Sequence, residues 1–324
     1  MNDGLQLLGG LILLYFGAEW FVGGGAALAL ALRVPQLLVG LTIVAYGTSA
    51  PELVVGIEAA LSGHGQVALG NVVGSNIANI GLILGIAVLI RPARVDGALR
   101  QREVPMLLAS GAVVPLVLRD AAISRLEGVA LLLVALGYTG WMVHRARSPQ
   151  DRSAARAEAE VAEEAADAAG APSPGGVPRA LLTAVGGLLV LLLGGQLFVS
   201  AAVAVAQTLG MSERLVGLTI VAVGTSLPEL VTSAIAARRG HSDLAVGNVV
   251  GSNIFNSFLC LGAAAAVRPM AGPLELLPVD LGMLLLLTLL AAVLLRSART
   301  IPRVEGLLVL LLYGGFLVAT ITGG

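Results

Sequence analysis

The sequence predicts an all-α membrane protein of ten transmembrane helices, built as two inverted five-helix repeats. Three observations carry this expectation. Apolar runs of about 20 residues recur along a 324-residue chain that is 57% hydrophobic and only 12% charged, with a mean hydropathy of +0.92. A water-soluble chain carries roughly 25% charged residues, and about 20 apolar residues cross a hydrocarbon core of about 30 Å. The second observation is that the chain matches itself at an offset of 177 residues, and the third is that each copy holds an odd number of apolar runs.

Taken in order, the runs place spans near 5–32, 37–61, 68–90, 103–119 and 124–144, then 179–208, 215–237, 244–267, 276–295 and 304–321. The opening "MNDGLQLLGG" has no basic segment ahead of its apolar run, and that run is too long for a cleaved leader, so it reads as a retained first span. Between the fifth and sixth spans lies "RARSPQDRSAARAEAEVAEEAADAAGAPSPGGVPR". Its Ala/Glu-rich part suits a short exposed helix and its Pro/Gly-rich end a flexible linker. The expected organisation is therefore 1–144 as the first repeat, 145–178 as a linker and 179–324 as the second repeat. The single cysteine, Cys260, allows no internal disulfide and reads as a small buried apolar residue.

The repeat is long and ungapped. "GLTIVAYGTSAPELV" at 40 lies on "GLTIVAVGTSLPELV" at 217, and "GNVVGSNIAN" on "GNVVGSNIFN", with 30 identities in 46 positions across 40–85 and 217–262. Beyond this block Gly17 meets Gly194, Phe21 meets Phe198, and Arg91-Pro92 meets Arg268-Pro269. Five spans per copy mean that the second copy starts on the opposite side of the membrane. Arginine placement sets the direction, since the chain has no lysine. Loops after odd-numbered spans hold 15 arginines and those after even-numbered spans 4. The positive-inside rule then puts the linker in the cytoplasm and both termini outside.

The segment at 40–55 holds a carboxylate and a helix breaker within an apolar run. Pro51 cannot donate to the carbonyl of Gly47, and carbonyls freed in hydrocarbon are tolerated only where protein, water or an ion satisfies them. Thr48, Ser49 and Glu52 share one helix face, and Asn71, Ser75 and Asn79 form a second oxygen stripe at successive i+4 steps. Gly70 and Gly74 stand at a spacing that permits close helix approach. The second copy supplies Thr225, Ser226, Glu229, Asn248, Ser252 and Asn256. Such a set offers hydroxyl, amide, carbonyl and carboxylate oxygens without sulfur or imidazole. Hard oxygen donors suit Ca²⁺ and Na⁺, whereas zinc or copper call for His or Cys. Every arginine falls in a loop or at a span end, so no fixed cation is expected beside Glu52 or Glu229. An ionised group at mid-membrane costs at least about 2.5 kcal/mol, which leaves protonation or a mobile cation. Two carboxylates match one Ca²⁺ or two Na⁺, and a site cheap to occlude only when loaded describes an exchanger rather than a leak.

The paired "GTSxPE" and "GNVVGSNIxN" motifs resemble the alpha-repeats of the cation/Ca²⁺ antiporter superfamily, specifically prokaryotic Na⁺/Ca²⁺ exchangers. The resemblance implies alternating access around central ion sites, with Glu52 and Glu229 as principal ligands. Thr48, Ser49, Thr225, Ser226, Ser75, Asn79, Ser252 and Asn256 are implied to complete the oxygen set. The carbonyls of Ala45 and Ala222 would line Na⁺ sites, and the first and sixth spans would slide against the rest. Some relatives carry an aspartate at the position of Asn256; with asparagine there, Na⁺ stoichiometry and any use of K⁺ or H⁺ stay open.

Other residues are expected to be structural or peripheral. Glu19 is mirrored by Gln196, and Glu58 by Ile235; His64 and His241 are equivalents in the short hairpins; Glu127 and Glu305 open the fifth and tenth spans as interfacial anchors. The rival readings are an H⁺/Ca²⁺ or K⁺-assisted Na⁺/Ca²⁺ exchanger of the same fold, and a cation channel. An enzyme is not expected: there is no HExxH, no lysine for a Ser/Lys pair and no His at a span centre. No cofactor and no nucleic-acid partner are expected, only Ca²⁺, Na⁺ and the bilayer. An arginine-only, Ala/Gly/Leu-rich composition points to a GC-rich bacterium and its cytoplasmic membrane.

Overall fold

The structure, a computed structural model, describes residues 3–95, 97, 99–120, 122–145, 176–208, 222–270, 278–297 and 300–322. Helix α1 (Asp3–Leu32) has 30 residues and is therefore about 45 Å long, which a thinner hydrocarbon core accommodates by tilt. The second apolar run is broken: α2 (Gln36–Thr48) and α3 (Ala50–Leu61) meet at Ser49 with a 45° bend. Pro51 lies in the first turn of α3. There its missing N–H costs nothing, because the first N–H groups of any helix lack an intrahelical acceptor. The residue that would disrupt a continuous helix thus starts a new one. Helix α4 covers Gly65–Ile90, α5 Val104–Val117 and α6 Arg125–Arg145.

The second half repeats this order. Helix α7 runs Val177–Thr208, α8 is the short Ala222–Thr225, α9 is Leu227–Arg239, α10 Ser242–Val267, α11 Pro278–Ser297 and α12 Arg303–Thr322. Ser226 at the α8–α9 break has φ −90° and ψ 8°, close to the −84° and 8° of Ser49, so the same Ser-x-Pro-Glu sequence makes the same break twice. The hairpins after α3 and α9 turn on Gly63 (φ 83°) and Gly240 (φ 88°), left-handed positions that favour glycine.

The fold differs from the expectation in small ways. Among the described residues, seven helices are long and apolar enough to span a membrane, and eight when the bent α2–α3 pair counts as one span. Helix α5, at the expected fourth span, has only 14 residues and follows a π-helical turn at Leu99–Glu103. The expected seventh span is described only from 222 onward, and the expected linker lies almost wholly outside the described residues. Two short β contacts join the halves in an otherwise helical chain: β1 (Ala93–Arg94) pairs antiparallel with β2 (Thr300–Ile301), and Ile123 bridges Met270.

Burial separates centre from periphery. Helices α4 and α10 are 72% and 83% buried, while α6 and α7 are 22% buried and present Leu126, Leu133, Leu182 and Leu189 outward. Helix α1 packs antiparallel on α7 along a glycine seam. A Cβ at Gly17 would lie 2.4 Å from the backbone nitrogen of Leu191, and one at Gly187 2.4 Å from that of Phe21. Lipid offers no hydrophobic drive between helices, so backbone contact this close is what holds the pair together.

Candidate functional site

The two Ser-x-Pro-Glu breaks face each other between α4 and α10, and the two halves exchange hydrogen bonds across the contact. Ser49 Oγ donates to Glu229 Oε1 at 2.7 Å, and Ser226 Oγ donates to Glu52 Oε1 at 3.2 Å. Each serine therefore binds the carboxylate of the opposite half. Asn71 Nδ2 donates to the Glu52 carbonyl at 3.1 Å, and its equivalent Asn248 donates to the Glu229 carbonyl at 3.4 Å. These amides hold the first turns of α3 and α9 against the central helices. Asn248 also donates to Ser233 Oγ at 2.9 Å and accepts from Thr48 Oγ1 at 3.2 Å.

The central helices carry the rest of the set. Asn256 Nδ2 donates to Ser75 Oγ at 3.0 Å, and Asn76 Nδ2 to Ser257 Oγ at 2.8 Å. Asn79 and Asn256 each open a π-helical turn, at Asn79–Leu84 and Asn256–Cys260. Such single π turns within α-helices concentrate at functional sites because they displace carbonyls from the regular ladder.

The electrostatics define what this arrangement can hold. Glu52 and Glu229 are buried, and among the described residues neither forms an ion pair. Among the described residues, Glu52 Oε2, Glu229 Oε2, Ser252 Oγ and both side-chain polar atoms of Asn79 are buried without a hydrogen-bond partner. Buried polar atoms are normally paired, and an isolated buried carboxylate is far more costly than a neutral group. Converging oxygens with free lone pairs and no competing arginine form a donor set for a hard cation.

One side of this cluster is open. A cavity of about 440 Å³ lies between α7 and the two breaks, lined among others by Val54, Val55, Gln196, Ser200, Thr225 and Pro228. Thr48, the equivalent of Thr225, is fully buried. Its neighbour Gly47 is covered by Phe21 and Leu188, with a Cβ there 3.1 Å from Phe21 Cζ.

Relatives of the chain carry the same architecture. The model of the family described as sodium/calcium exchanger protein matches residues 4–143 and 179–322. The chain belongs to the sodium/calcium exchanger family. Over 314 residues, covering 96% of it and 94% of the relative, it is 35% identical to the inner membrane protein YrbG of Escherichia coli. It is 31% identical to the sodium/calcium exchanger MaX1 of Methanosarcina acetivorans, covering 97% of both chains. Its fold matches the structure of the sodium-calcium exchanger NCX_Mj soaked with Na⁺ and Ca²⁺, with a TM-score of 0.81 and 30% identity over 98% of this chain and 97% of that one. The family is one of cation/Ca²⁺ antiporters rather than enzymes, and this member is a helical, multi-pass membrane protein.

Of the residues singled out in the sequence, Thr48, Ser49, Glu52, Ser75, Ser226, Glu229 and Asn256 take part in the hydrogen bonds between the halves, and Asn79 and Ser252 are buried on the two central helices. Thr225 lines the cavity. Ala45 is buried, and its carbonyl accepts from Ser49 N at 3.0 Å and, more weakly, from Thr48 Oγ1 at 3.4 Å. Ala222 begins α8. Close approach is found at Gly247 and Gly251 against α2, where a Cβ on Gly251 would lie 2.8 Å from the Leu41 carbonyl. The segment that would mirror α2 against Gly70 and Gly74 lies outside the described residues. Sequence reasoning passed over Asn76, Thr232, Ser233 and Ser257, all buried in the same polar layer. Asn76 was readable, because it stands inside both copies of "GSNI"; Ser233 and Ser257 were not, because their repeat equivalents are Gly56 and Ile80.

Proposed function

We propose that this chain is a secondary antiporter exchanging Na⁺ for Ca²⁺ by alternating access at the paired Glu52–Glu229 site. The reading takes the chain as ten spans in two inverted repeats, 1–144 and 179–324, joined by a cytoplasmic linker, with both termini outside the cytoplasmic membrane. The observation that carries it is the reciprocal pairing of Ser49 with Glu229 and Ser226 with Glu52, around carboxylate oxygens that no cation among the described residues neutralises. Glu52 and Glu229 are the charged ligands. Ser49, Ser226, Ser75, Ser252, Thr48 and Thr225 supply hydroxyl oxygens, Asn79 and Asn256 supply amide oxygens, and Ala45 and Ala222 supply carbonyls.

Ca²⁺ takes six to eight oxygens at one centre, which the two carboxylates and nearby serines and asparagines can meet; Na⁺ accepts the same donors singly. Either load neutralises the two carboxylates and removes the cost of closing the site into hydrocarbon. An unloaded site keeps that cost, so the protein reorients with cargo and does not leak. On the proposed topology, the cavity beside Gln196 and Thr225 faces outward and the packing around Phe21 and Thr48 closes the cytoplasmic side. The α1–α7 pair, held by its glycine seam, is the body that slides.

The test is Ca²⁺ uptake into proteoliposomes loaded with Na⁺ and diluted into Na⁺-free, K⁺-free buffer at matched pH. The proposal expects uptake that vanishes without the Na⁺ gradient and in Glu52→Gln and Glu229→Gln. Uptake indifferent to Na⁺ and driven by a pH gradient would overturn the coupling ion; passive flux that never saturates would overturn the carrier.

A further inference from the structure

Glu19 is a carboxylate in the middle of α1 whose repeat equivalent is neutral, and its side chain is only 12% exposed. It accepts from Arg238 Nη2 and from Arg239 Nη2, both in the last turn of α9. Arg238 also donates to Tyr15 Oη at 3.0 Å and lies over the Tyr15 ring at 5.6 Å. One carboxylate thus ties α1 to the C-terminal end of the helix that begins beside Glu229.

The equivalent positions in the other half hold Gln196 for Glu19, Leu192 for Tyr15, and Leu61 and Ser62 for the two arginines. No charge stands at any of them. Gln196 and Leu192 both line the open cavity. The ion pairs therefore lie away from the cavity, while the residues that replace Glu19 and Tyr15 line it.

We infer that Glu19 is a gate residue with two successive roles: it latches the closed face through Arg238 and Arg239, and it lines the mouth of that face once opened. This rests on the alternating-access reading. In an inverted repeat, opening the closed face gives Glu19 the surroundings that Gln196 has now, at the wall of an aqueous cavity. Released from the arginines, it becomes a carboxylate on the approach route of a cation. At the equivalent position the opposite mouth offers the neutral amide of Gln196. The two faces then differ in how often they open and in how strongly they attract the ion. Exposed ion pairs are individually weak. With two of them on a nearly buried carboxylate, Glu19→Gln should shift the balance of open faces by roughly two- to tenfold.

The test uses the full chain in proteoliposomes with Cys260 replaced by Ser. Single cysteines are placed at Val231 and at its equivalent Val54, which lines the open cavity, and alkylation is timed with a membrane-impermeant thiol reagent from each side. In the parent, adding Na⁺ or Ca²⁺ should change the two rates in opposite directions. Glu19→Gln should raise labelling at Val231→Cys and lower it at Val54→Cys. The double variant Arg238→Gln/Arg239→Gln should do the same, and the exchange Glu19→Arg with Arg238→Glu and Arg239→Glu should restore the parent rates. The half-saturating Ca²⁺ concentration should rise in Glu19→Gln on the arginine-bearing face alone. Unchanged labelling in both single-side variants, or an equal rise in half-saturation on both faces, would overturn the inference while leaving exchange intact. Parent rates that ignore both ions would instead overturn the alternating-access reading, and the gate with it.

Discussion

The two breaks at Ser49 and Ser226 are made from nearly the same residues and both border the cavity, yet the threonine ahead of each differs: Thr48 is sealed and Thr225 lines the cavity wall. Thr48 is fully buried beneath Phe21, which is 1% exposed and packs over Gly47. Phe21 and its equivalent Phe198 lie against equivalent glycines, Gly187 and Gly10, of the opposite long helix, but at Gly224 it is Val199 that takes the place Phe21 has at Gly47. Helix α7 thus sits on its break in a different register from α1, and the difference leaves Thr225 at the cavity wall. On the proposed reading, the motif supplies the ligands, while the long helix packed on it decides what can reach them. Access can then change without rebuilding the site.

The largest expected effect breaks both halves at once. Glu52→Gln or Glu229→Gln should lower Ca²⁺ transport by at least about 100-fold, since loss of a mere outer partner at a metal site costs about 10–100-fold. Uptake assays on either variant check this, and a large difference between the two would show that the halves are not equal partners. The comparison sharpens with Thr225→Cys and Thr48→Cys in a Cys260→Ser background. Without Na⁺ or Ca²⁺, impermeant alkylation should be at least about tenfold faster at 225, because thiol reactivity follows access. Equal rates would dissolve the contrast.

Smaller effects probe the seams. Gly17→Ala should cost about 1–3 kcal/mol, because the added Cβ meets the Leu191 backbone and the helices must part; a thermal-unfolding shift in detergent reads it. Ser75→Ala strands Asn256 Nδ2 and should cost about 1–3 kcal/mol. Its equivalent Ser252 has no hydrogen-bond partner for its hydroxyl among the described residues, so Ser252→Ala should leave stability nearly unchanged and weaken Ca²⁺ binding. Equal stability losses would show that the two serines are both structural.

The smallest effect lies in the hairpins. His241 Nδ1 donates to Gln36 Oε1 at 2.9 Å, and burial, then Arg239 and Arg91, hold its pKa below the ordinary 6.5. The unfolded chain therefore takes the proton first. Stability from this neutral His is fully present above pH 6.5 and declines as pH falls below it. His241→Gln should flatten that acid limb in thermal-unfolding profiles, while a parallel shift at every pH would assign the residue a packing role alone.

Much of this was legible in the sequence, for reasons that can be named. Pro51 and Pro228 announced the breaks, because a residue without an N–H cannot continue a helix through that turn. Two copies of one motif announced that the breaks meet. The exchange of partners between Ser49 and Glu229 was not readable, since it depends on how two antiparallel copies face each other. The π turns at Asn79 and Asn256 have no compositional signal. Glu19 reads as a lone acid in an apolar run until α1 is placed beside the last turn of α9, 219 residues away. The register difference at Gly47 and Gly224 escapes any repeat comparison, because both copies carry the same phenylalanine.

The most direct measurement is equilibrium binding of Ca²⁺ to the purified full chain by titration calorimetry, repeated at rising Na⁺ and fixed pH. The account predicts a single class of Ca²⁺ site whose affinity falls steadily as Na⁺ rises, lost in both Glu52→Gln and Glu229→Gln. Ca²⁺ binding that persists in either variant, or that is indifferent to Na⁺, would contradict a shared carboxylate site for the two ions.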